Sequence, residues 1–302
     1  MDLTFTDVVT PPPVDLSSPD IEVWRDNEGR ECAFGQTVAG ENWMHIPLIG
    51  SFLLGDHDRP TSVVPQGGAL KWQVIDTYYR NVLPMALQLL GQEILHASAV
   101  VTPQGVLTFC APSETGKSTL AYGMRQRGNR LYADDAVVFD VNVDGRPQLG
   151  QVPFTIRLRK PSADYFGAES REMARVTGAL DSQVGGAGSF AAICVLERLQ
   201  GGRSESGSDP CSTGARGLGT NQSVVEVKRL SPSEAFAAVL PHAYCFTLRD
   251  HLRKRLMMKQ YMALVGAVPV LHVRFRTGLE HLPEILDELE RAVAEGYSRV
   301  AA

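Results

Sequence analysis

The sequence predicts an α/β protein in which a phosphate-binding loop joins a strand to a helix. The apolar run "GVLTFCA" (105–111) precedes the segment "PSETGKS", and the helical segment "STLAYGMRQRG" follows it. Further strand and helix patterns then run to the C-terminus, which favours a sheet flanked by helices. Before this part, short apolar runs broken by glycine, such as "EVWRDNEGRECAFGQ", indicate a smaller strand-rich region.

Length and composition exclude several classes of protein. With 302 residues, of which 44% are hydrophobic, the chain can bury a sizeable core. The net charge of -5 argues against a general nucleic-acid binder and against a polybasic membrane protein. We find no apolar run of about 18 residues, and the acidic, proline-rich start differs from a signal peptide, so we expect a cytoplasmic protein. Five widely spaced cysteines without a CxxC pair indicate reduced structural thiols.

The elements before the loop follow from changes in hydrophobic period. We expect a loose arm over residues 1–20, because "PPPVDLSSPD" can neither pair as a strand nor bury a core. A strand-rich region over 21–68 then precedes the main α/β domain, which we assign to 69–302. This domain opens with the helical pattern "ALKWQVIDTYYRNVLPMALQLLGQEI", in which Pro84 predicts a kink and Gly91 the end. Next, "ILHASAVVTPQGVLTFCAP" predicts a strand pair around the turn "TPQG".

The elements after the loop carry equally local signals. "LYADDAVVFDV" and "QVPFTIRLRK" each predict a strand, and the glycine- and serine-rich segment 200–223 predicts a mobile surface loop. Ser231 suits the N-cap of the helix "SPSEAFAAVL", Pro232 its first position and Glu234 the reciprocal site of a capping box. A helix over about 250–266, the strand "PVLHVRF" and a last helix complete the order. The apolar face of that last helix comprises Leu282, Ile285, Leu286, Leu289 and Val293.

The loop fits the pattern G-x-x-x-x-G-K-[ST], with alanine in the first position. It comprises Ala111, Pro112, Ser113, Glu114, Thr115, Gly116, Lys117, Ser118 and Thr119. Such a loop binds phosphate through converging backbone N–H groups, a lysine and a hydroxyl on magnesium, which here are offered by Lys117 and Ser118. Gly116 lets the backbone approach, and the helix that follows adds its positive dipole end. Glu114 is the unfavourable residue, since a carboxylate repels phosphate unless it points away.

Two further segments lie at telling distances from the loop. "LHASAV" places His96 twenty-one residues before Lys117, and "RGNRLYADD" places Asp134 and Asp135 seventeen and eighteen residues after it. In this order the three segments resemble the HPr kinase/phosphorylase superfamily, closely over 96–140 and weakly to the C-terminus. The resemblance is closest to the HPr-kinase-like proteins of bacterial peptide natural-product genes, notably lasso peptide clusters, some of which phosphorylate a serine hydroxyl of the precursor peptide.

This resemblance implies an HPr-kinase/PEP-carboxykinase-like kinase domain that uses ATP and Mg²⁺. Lys117 would bind the phosphates and Ser118 the metal. Asp135 would accept the proton of the attacking hydroxyl, Asp134 would orient the substrate or a metal-bound water, and His96 would lie beside the transferred phosphoryl group. The implied acceptor is a serine or threonine hydroxyl of a peptide or protein. A homo-oligomer stays open, since HPr kinases are often oligomeric.

The chain also departs from the family. HPr kinases carry a glutamate metal ligand in a short segment after the aspartate pair, and "FTIRLRK" has Thr155 in that place. The N-terminal region does not match the N-terminal domain of HPr kinases. Arg157 and Arg159 alternate on one face of the same segment, as either a solvated strand face or a contact to substrate or phosphate.

Two other functions remain open from the sequence. One is a kinase for a small-molecule hydroxyl, such as a free amino acid. The other is a non-catalytic nucleotide-binding partner in a biosynthetic complex, which Ala111, Glu114 and Thr155 favour.

Overall fold

The protein is a mixed α/β structure with several sheets. The computed structural model describes residues 2–6, 21–26, 29–37, 40–56, 58–168, 171–172, 188–199, 223–245 and 250–298. Almost all of the loop predicted at 200–223 lies outside the described residues, as does Cys211. The other cysteines, which are Cys32, Cys110, Cys194 and Cys245, are free thiols as predicted.

The elements are numbered in chain order. The first strands are β1 (Leu3–Phe5), β2 (Glu22–Arg25), β3 (Glu31–Gln36), β4 (Asn42–Ile46), β5 (Gly50–Leu53) and β6 (Thr61–Pro65). The later strands are β7 (Glu93–Leu95), β8 (Ala97–Thr102), β9 (Gly105–Cys110), β10 (Arg130–Ala133), β11 (Val137–Val141), β12 (Pro147–Gly150), β13 (Ile156–Arg157), β14 (Arg171–Glu172), β15 (Phe190–Leu199), β16 (Val225–Arg229) and β17 (Val270–Arg276). The helices are α1 (Lys71–Thr77), α2 (Leu83–Leu89), α3 (Lys117–Gln126), α4 (Lys160–Phe166), α5 (Pro232–Val239), α6 (His251–Ala267) and α7 (Leu282–Ser298).

The N-terminal sheet has the order β1-β6-β5-β4-β3-β2. Strands β2 to β6 form an antiparallel meander, and β1 pairs in parallel with β6. The start of the chain was expected to be a loose arm, but Leu3–Phe5 pairs as a strand because its extended backbone satisfies the free edge of β6. Residues 7–20 lie outside the described residues.

The helical segment between α1 and α2 contains a π turn over Tyr78–Val82. The N–H of Leu83 bonds to the carbonyl of Tyr78, five residues back. Pro84 explains this turn, because proline has no N–H to donate to the carbonyl of Arg80 and its ring crowds that carbonyl. The predicted interruption at Pro84 is therefore present as a widened turn just before it.

This helical segment packs on the N-terminal sheet. We grouped it with the α/β domain, yet its buried apolar side chains share one core with β3 to β6. Those helical side chains are Val74, Tyr78, Val82, Leu83, Met85 and Ala86. The segment therefore lies between the N-terminal sheet and the rest of the chain.

The central sheet has the order β10-β8-β9-β15-β17-β16. Strands β9, β15 and β17 run parallel, and β8 and β16 pair antiparallel with β9 and β17. The hairpin β8–β9 is the predicted strand pair. Every residue of β9 is buried, as expected for a parallel strand covered on both faces. Helices α3 and α7 cover one face, and α5 and α6 cover the other.

Strand β9 shows how the two faces are assigned. Leu107 and Phe109 join the core under α3 and α7, whereas Val106 and Cys110 join the core under α5 and α6. The side chains of a strand alternate between faces, so both cores meet at β9. The phosphate-type loop leaves the sheet directly from the end of this strand.

Two of the predicted strands are shorter than expected. The predicted strand over 131–141 is broken into β10 and β11, and Asp134 and Asp135 lie in the bend between them. Asp135 has a φ of 66°, which a continuous strand cannot contain. The segment "QVPFTIRLRK" pairs as a strand only at Ile156–Arg157, and Pro153 supplies no N–H for a ladder.

The other helical predictions are confirmed. The capping box is present, since the Ser231 side chain accepts from the backbone of Glu234 and the Glu234 carboxylate accepts from the N–H of Ser231 at 2.9 Å. The Ser231 hydroxyl also donates to this carboxylate, at 2.7 Å. All five apolar residues predicted for α7 are buried. Within the described residues, no helix is both long enough and apolar enough to cross a bilayer.

Truncating the buried face of α7 should cost stability. Leu289 is fully buried, and we expect Leu289→Ala to lower the free energy of unfolding by about 2–5 kcal/mol through lost transfer energy and a cavity. Leu252 of α6 is 72% exposed and is the matched control, for which we expect about 0.5 kcal/mol or less. Urea unfolding measures both. Equal losses in the two variants would contradict the packing described for α7.

Candidate active site

The loop between β9 and α3 turns into the helix at a glycine. Gly116 has a φ of 118°, a value that residues with a Cβ rarely adopt, and it precedes the first residue of α3. Gly116 has no side chain to cap the helix, so the first N–H groups of α3 are not capped by a side chain. Backbone donors and a positive helix end at one point make a site for an anion. Ala111 is fully buried, at the end of the sheet core.

Lys117 is buried and bonded inside the loop. Its Nζ donates to the carbonyls of Ala111 and Pro112, at 2.8 and 3.4 Å, and lies 3.1 Å from Nε2 of His96. Burial lowers the pKa of Lys117, while the charges of Asp135 and Asp134 act in the opposite direction. The ammonium group is therefore held at the start of the loop, by the carbonyls of Ala111 and Pro112, within range of the charges of the two aspartates.

His96 is best assigned as a neutral ring with its proton on Nδ1. The ammonium of Lys117 can only donate, so Nε2 is the acceptor and Nδ1 carries the hydrogen. Nδ1 lies 3.2 Å from the hydroxyl of Tyr244. Burial and then the charge of Lys117 lower the pKa of His96, which agrees with a neutral ring. The histidine expected beside the phosphoryl group thus lies beside the lysine of the loop.

Asp134 is the hydrogen-bonded member of the pair. Its Oδ1 accepts from the hydroxyls of Ser98 and Ser118, at 2.5 and 2.8 Å, and its Oδ2 from the N–H of Arg157 at 3.4 Å. Burial and then the charge of Asp135 raise the pKa of Asp134 to about 7, against the effect of these hydrogen bonds. Because Asp134 is hydrogen-bonded to the hydroxyl of Ser118, these two side chains could bind the same cation.

Asp135 points a different way from its neighbour. Its Oδ2 lies 2.5 Å from a guanidinium nitrogen of Arg80, and its side chain is 18% exposed. Because β10 has ended at Ala133, both carboxylates can serve one site although they are adjacent in sequence. The two aspartates therefore differ in environment: Asp134 is buried and accepts from two hydroxyls, whereas Asp135 is ion-paired and partly exposed.

Glu114 points away from the centre of the loop. Its carboxylate pairs with Arg159 and is 60% exposed, and its backbone has a positive φ of 72°. Arg198 at the end of β15 donates to the carbonyls of Glu114 and Thr115, at 2.5 and 3.2 Å. The outward direction removes the repulsion that a carboxylate inside the loop would cause. Arg159, which was predicted to be either solvated or in contact with substrate or phosphate, pairs with Glu114 of this loop.

Thr155 and Arg157 share a carboxylate from a distant helix. The Thr155 hydroxyl donates to Oδ1 of Asp76 at 3.1 Å, and the Arg157 guanidinium pairs with Oδ2 of the same residue. The position at which HPr kinases carry glutamate therefore contacts an aspartate of α1. Arg157 also donates its backbone N–H to Asp134, which places it at the edge of the site.

The oxygen donors fit Mg²⁺. The hydroxyl of Ser118 and a carboxylate oxygen of Asp134 are 2.8 Å apart, and both are hard ligands of the kind Mg²⁺ takes. Within the described residues, no group of three or more His, Cys, Asp or Glu side chains could hold a metal ion. Mg²⁺ is commonly held by one or two carboxylates together with phosphate oxygens and waters, so this small set fits that mode of binding.

Several residues of the site carry no motif. Ser98 could have been found, since it lies two residues after His96 and faces the same side of the strand pair. Asp76 and Arg80 lie in the helical segment 71–89, in which the sequence shows a helical period and no motif. Tyr244 and Arg198 reach the site from strand and loop ends that are distant in sequence.

His242 should make stability depend on pH. Burial, and then the charges of Lys117 and His96, lower its pKa from 6.5 to about 4. The unfolded chain therefore binds more protons between these values, so stability is full above pH 6.5 and is lost as pH falls toward 4. We expect the wild type to lose on the order of 2 kcal/mol relative to His242→Gln across this window. Urea unfolding of both proteins at several pH values measures the difference, and parallel curves would contradict it.

No family model matches the chain, and no curated protein matches it. Among solved structures, the chain is similar to an HPr(Ser) kinase/phosphatase from Coxiella burnetii. The two share 12% identity over 69% of this chain and 96% of that one, with a TM-score of 0.31. A likeness this distant says nothing about activity, so the chemistry of the site rests on its own residues.

Proposed function

We propose that the protein is an ATP-dependent kinase that phosphorylates a serine or threonine hydroxyl of a peptide or protein. The observation that carries this proposal is the hydrogen bond between Ser118 and Asp134, directly after the loop lysine and directly before Asp135. The residues proposed to bind a triphosphate and the two carboxylates therefore lie close to the N-terminus of one helix. Phosphoryl transfer needs this combination, because the protein contributes mainly position, positive charge and a proton acceptor.

The donor would bind along the loop. Backbone N–H groups of the loop and of the first turn of α3 would hold the phosphates, with Lys117 as their charged partner. Ser118 and Asp134 would hold Mg²⁺, which neutralises phosphate charge when it is bound. Lys117 would then exchange its bonds to loop carbonyls for bonds to phosphate oxygens.

Asp135 is the proposed base. Its carboxylate accepts the proton of the acceptor hydroxyl while that oxygen bonds to the γ-phosphorus and the bond to the bridging oxygen of ADP breaks. Asp134 is less suited to this role, because its oxygens already accept from Ser98, Ser118 and Arg157. The division of labour follows from the two environments.

Phosphoryl transfer from γ-labelled ATP is the direct test. Full-length protein is incubated with labelled ATP, Mg²⁺ and peptides that contain serine or threonine, beginning with precursor peptides of the lasso type that the motifs suggest. We expect label on peptide hydroxyls. Label on free amino acids or other small molecules, without peptide, would replace the peptide kinase by a small-molecule kinase. ATP binding without transfer to any acceptor would favour a nucleotide-binding partner protein instead.

A further inference from the structure

Arg80 contacts the proposed base from a part of the chain that no phosphate-loop motif includes. Its guanidinium lies 2.5 Å from Oδ2 of Asp135. We infer that Arg80 is a positioning residue, which holds the Asp135 carboxylate where it accepts the proton of the acceptor hydroxyl. The inference rests on the proposed function, and it assigns the N-terminal helical segment a part in the reaction.

The segment that carries Arg80 has two faces with different partners. The face toward the N-terminal core presents Val74, Tyr78 and Val82, all fully buried. Asp76 and Arg80 are four residues apart and therefore lie on one line of the other face. From there Asp76 pairs with Arg157, and Arg80 pairs with Asp135. The same helix that closes one core thus delivers two charged side chains to the neighbouring site.

The π turn lies where Arg80 leaves the helix. Arg80 is the central residue of Tyr78–Val82, and the turn is imposed by Pro84, as described above. Turns of this kind are rare in proteins, and many of those that occur lie at functional sites. The turn has a local cause in the sequence, and the residue at its centre is the one that reaches Asp135.

Asp135 needs an external partner to stay in place. It lies in a bend with a φ of 66°, between two strands and outside the ladder of either. Its side chain is partly exposed, so without a partner it could adopt other rotamers. A second link steadies the bend, because Asp76 holds Arg157, whose N–H donates to Asp134 at 3.4 Å. Both aspartates are therefore tied to one helical segment.

Kinetics of variants can separate positioning from simple structural support. We expect Arg80→Met to lower kcat about 10- to 100-fold, because small displacements of a reacting group cost this much. The affinity for ATP, measured by calorimetry, should stay within about twofold, since the charged partner of Arg80 among the described residues is Asp135 and not a residue of the loop 111–119. Arg80→Lys should recover part of kcat. The matched control is Arg59→Met, which removes an exposed arginine paired with Asp56 and Glu41 in the N-terminal part.

The double variant Arg80→Met/Asp135→Asn gives the sharpest test. If Arg80 acts through Asp135, the double variant is no slower than Asp135→Asn alone, to within about threefold. Multiplied losses would overturn the inference and indicate that Arg80 touches the phosphoryl group itself. Wild-type kcat in Arg80→Met would also overturn it.

The wild type could transfer phosphate to no acceptor, and this outcome would contradict the kinase proposal. Hydrogen exchange then still tests whether Arg80 holds Asp135 in place. Backbone amides 134–137 should then exchange faster in Arg80→Met than in wild type or Arg59→Met, because the bend has lost one of the contacts that hold it. Equal protection in all three proteins would show that Arg80 does not position Asp135.

Discussion

Lys117→Ala should remove most of the affinity for ATP. The lysine is the only side-chain cation in the loop segment 111–119, and its ammonium lies within bonding distance of the carbonyls of Ala111 and Pro112. Loss of a charged donor to phosphate in a partly desolvated site weakens binding by about 100-fold or more. Calorimetric titration with ATP and Mg²⁺ measures this, with Lys228→Ala as the control, since that lysine is exposed and pairs with Glu234.

The variant must also be shown to fold. Removing Lys117 leaves two loop carbonyls and Nε2 of His96 without their donor, so the melting temperature of each protein should be recorded beside its affinity. Unchanged affinity in folded Lys117→Ala would mean that ATP binds elsewhere. No binding in the wild type would mean that this loop does not serve ATP.

Asp135→Asn should abolish most turnover while nucleotide binding persists. Asparagine has nearly the same shape and tolerates the positive φ at this position, so the bend should keep its backbone. It cannot accept the proton, and loss of a general base lowers kcat by about 10²- to 10⁴-fold. Single-turnover transfer from labelled ATP measures the loss, with the affinity for ATP measured in parallel.

Asp134→Asn distinguishes the two carboxylates. Because Asp134 shares a hydrogen bond with Ser118, we expect its variant to weaken binding of ATP with Mg²⁺ as well as turnover. If Asp134→Asn alone abolished transfer and Asp135→Asn turned over normally, the base would be Asp134 and the roles proposed here would be reversed.

Local patterns predicted the parts of the fold that depend on neighbours in sequence. The β8–β9 hairpin, the Ser231–Glu234 capping box and the apolar face of α7 are present as expected. Each depends on turn chemistry or on a period that a short window contains. The break after Ala133 was missed, because the apolar run continues on both sides of the aspartate pair and hides the positive φ of Asp135.

The site was predictable only where its residues share a motif. Sequence reasoning named Lys117, Ser118 and both aspartates, and the structure brings them together. Arg80 escaped it, because its contact with Asp135 depends on how a distant helix packs. Glu114 was expected to be unfavourable, and its pairing with Arg159 depends equally on tertiary structure.

The two-faced helix limits how such a protein can be recombined. An exchange of the N-terminal sheet for another domain, in evolution or by gene fusion, would have to keep residues 71–89 with the part of the chain that carries Asp135 and Arg157. With a junction at the end of the sheet, near residue 68, the side chains of Val74, Tyr78 and Val82 would have to pack against a different sheet. A hybrid whose new sheet packs poorly on these three side chains should displace Asp76 and Arg80 and lower the rate of the proposed phosphoryl transfer, whereas residues 111–119 should keep their conformation.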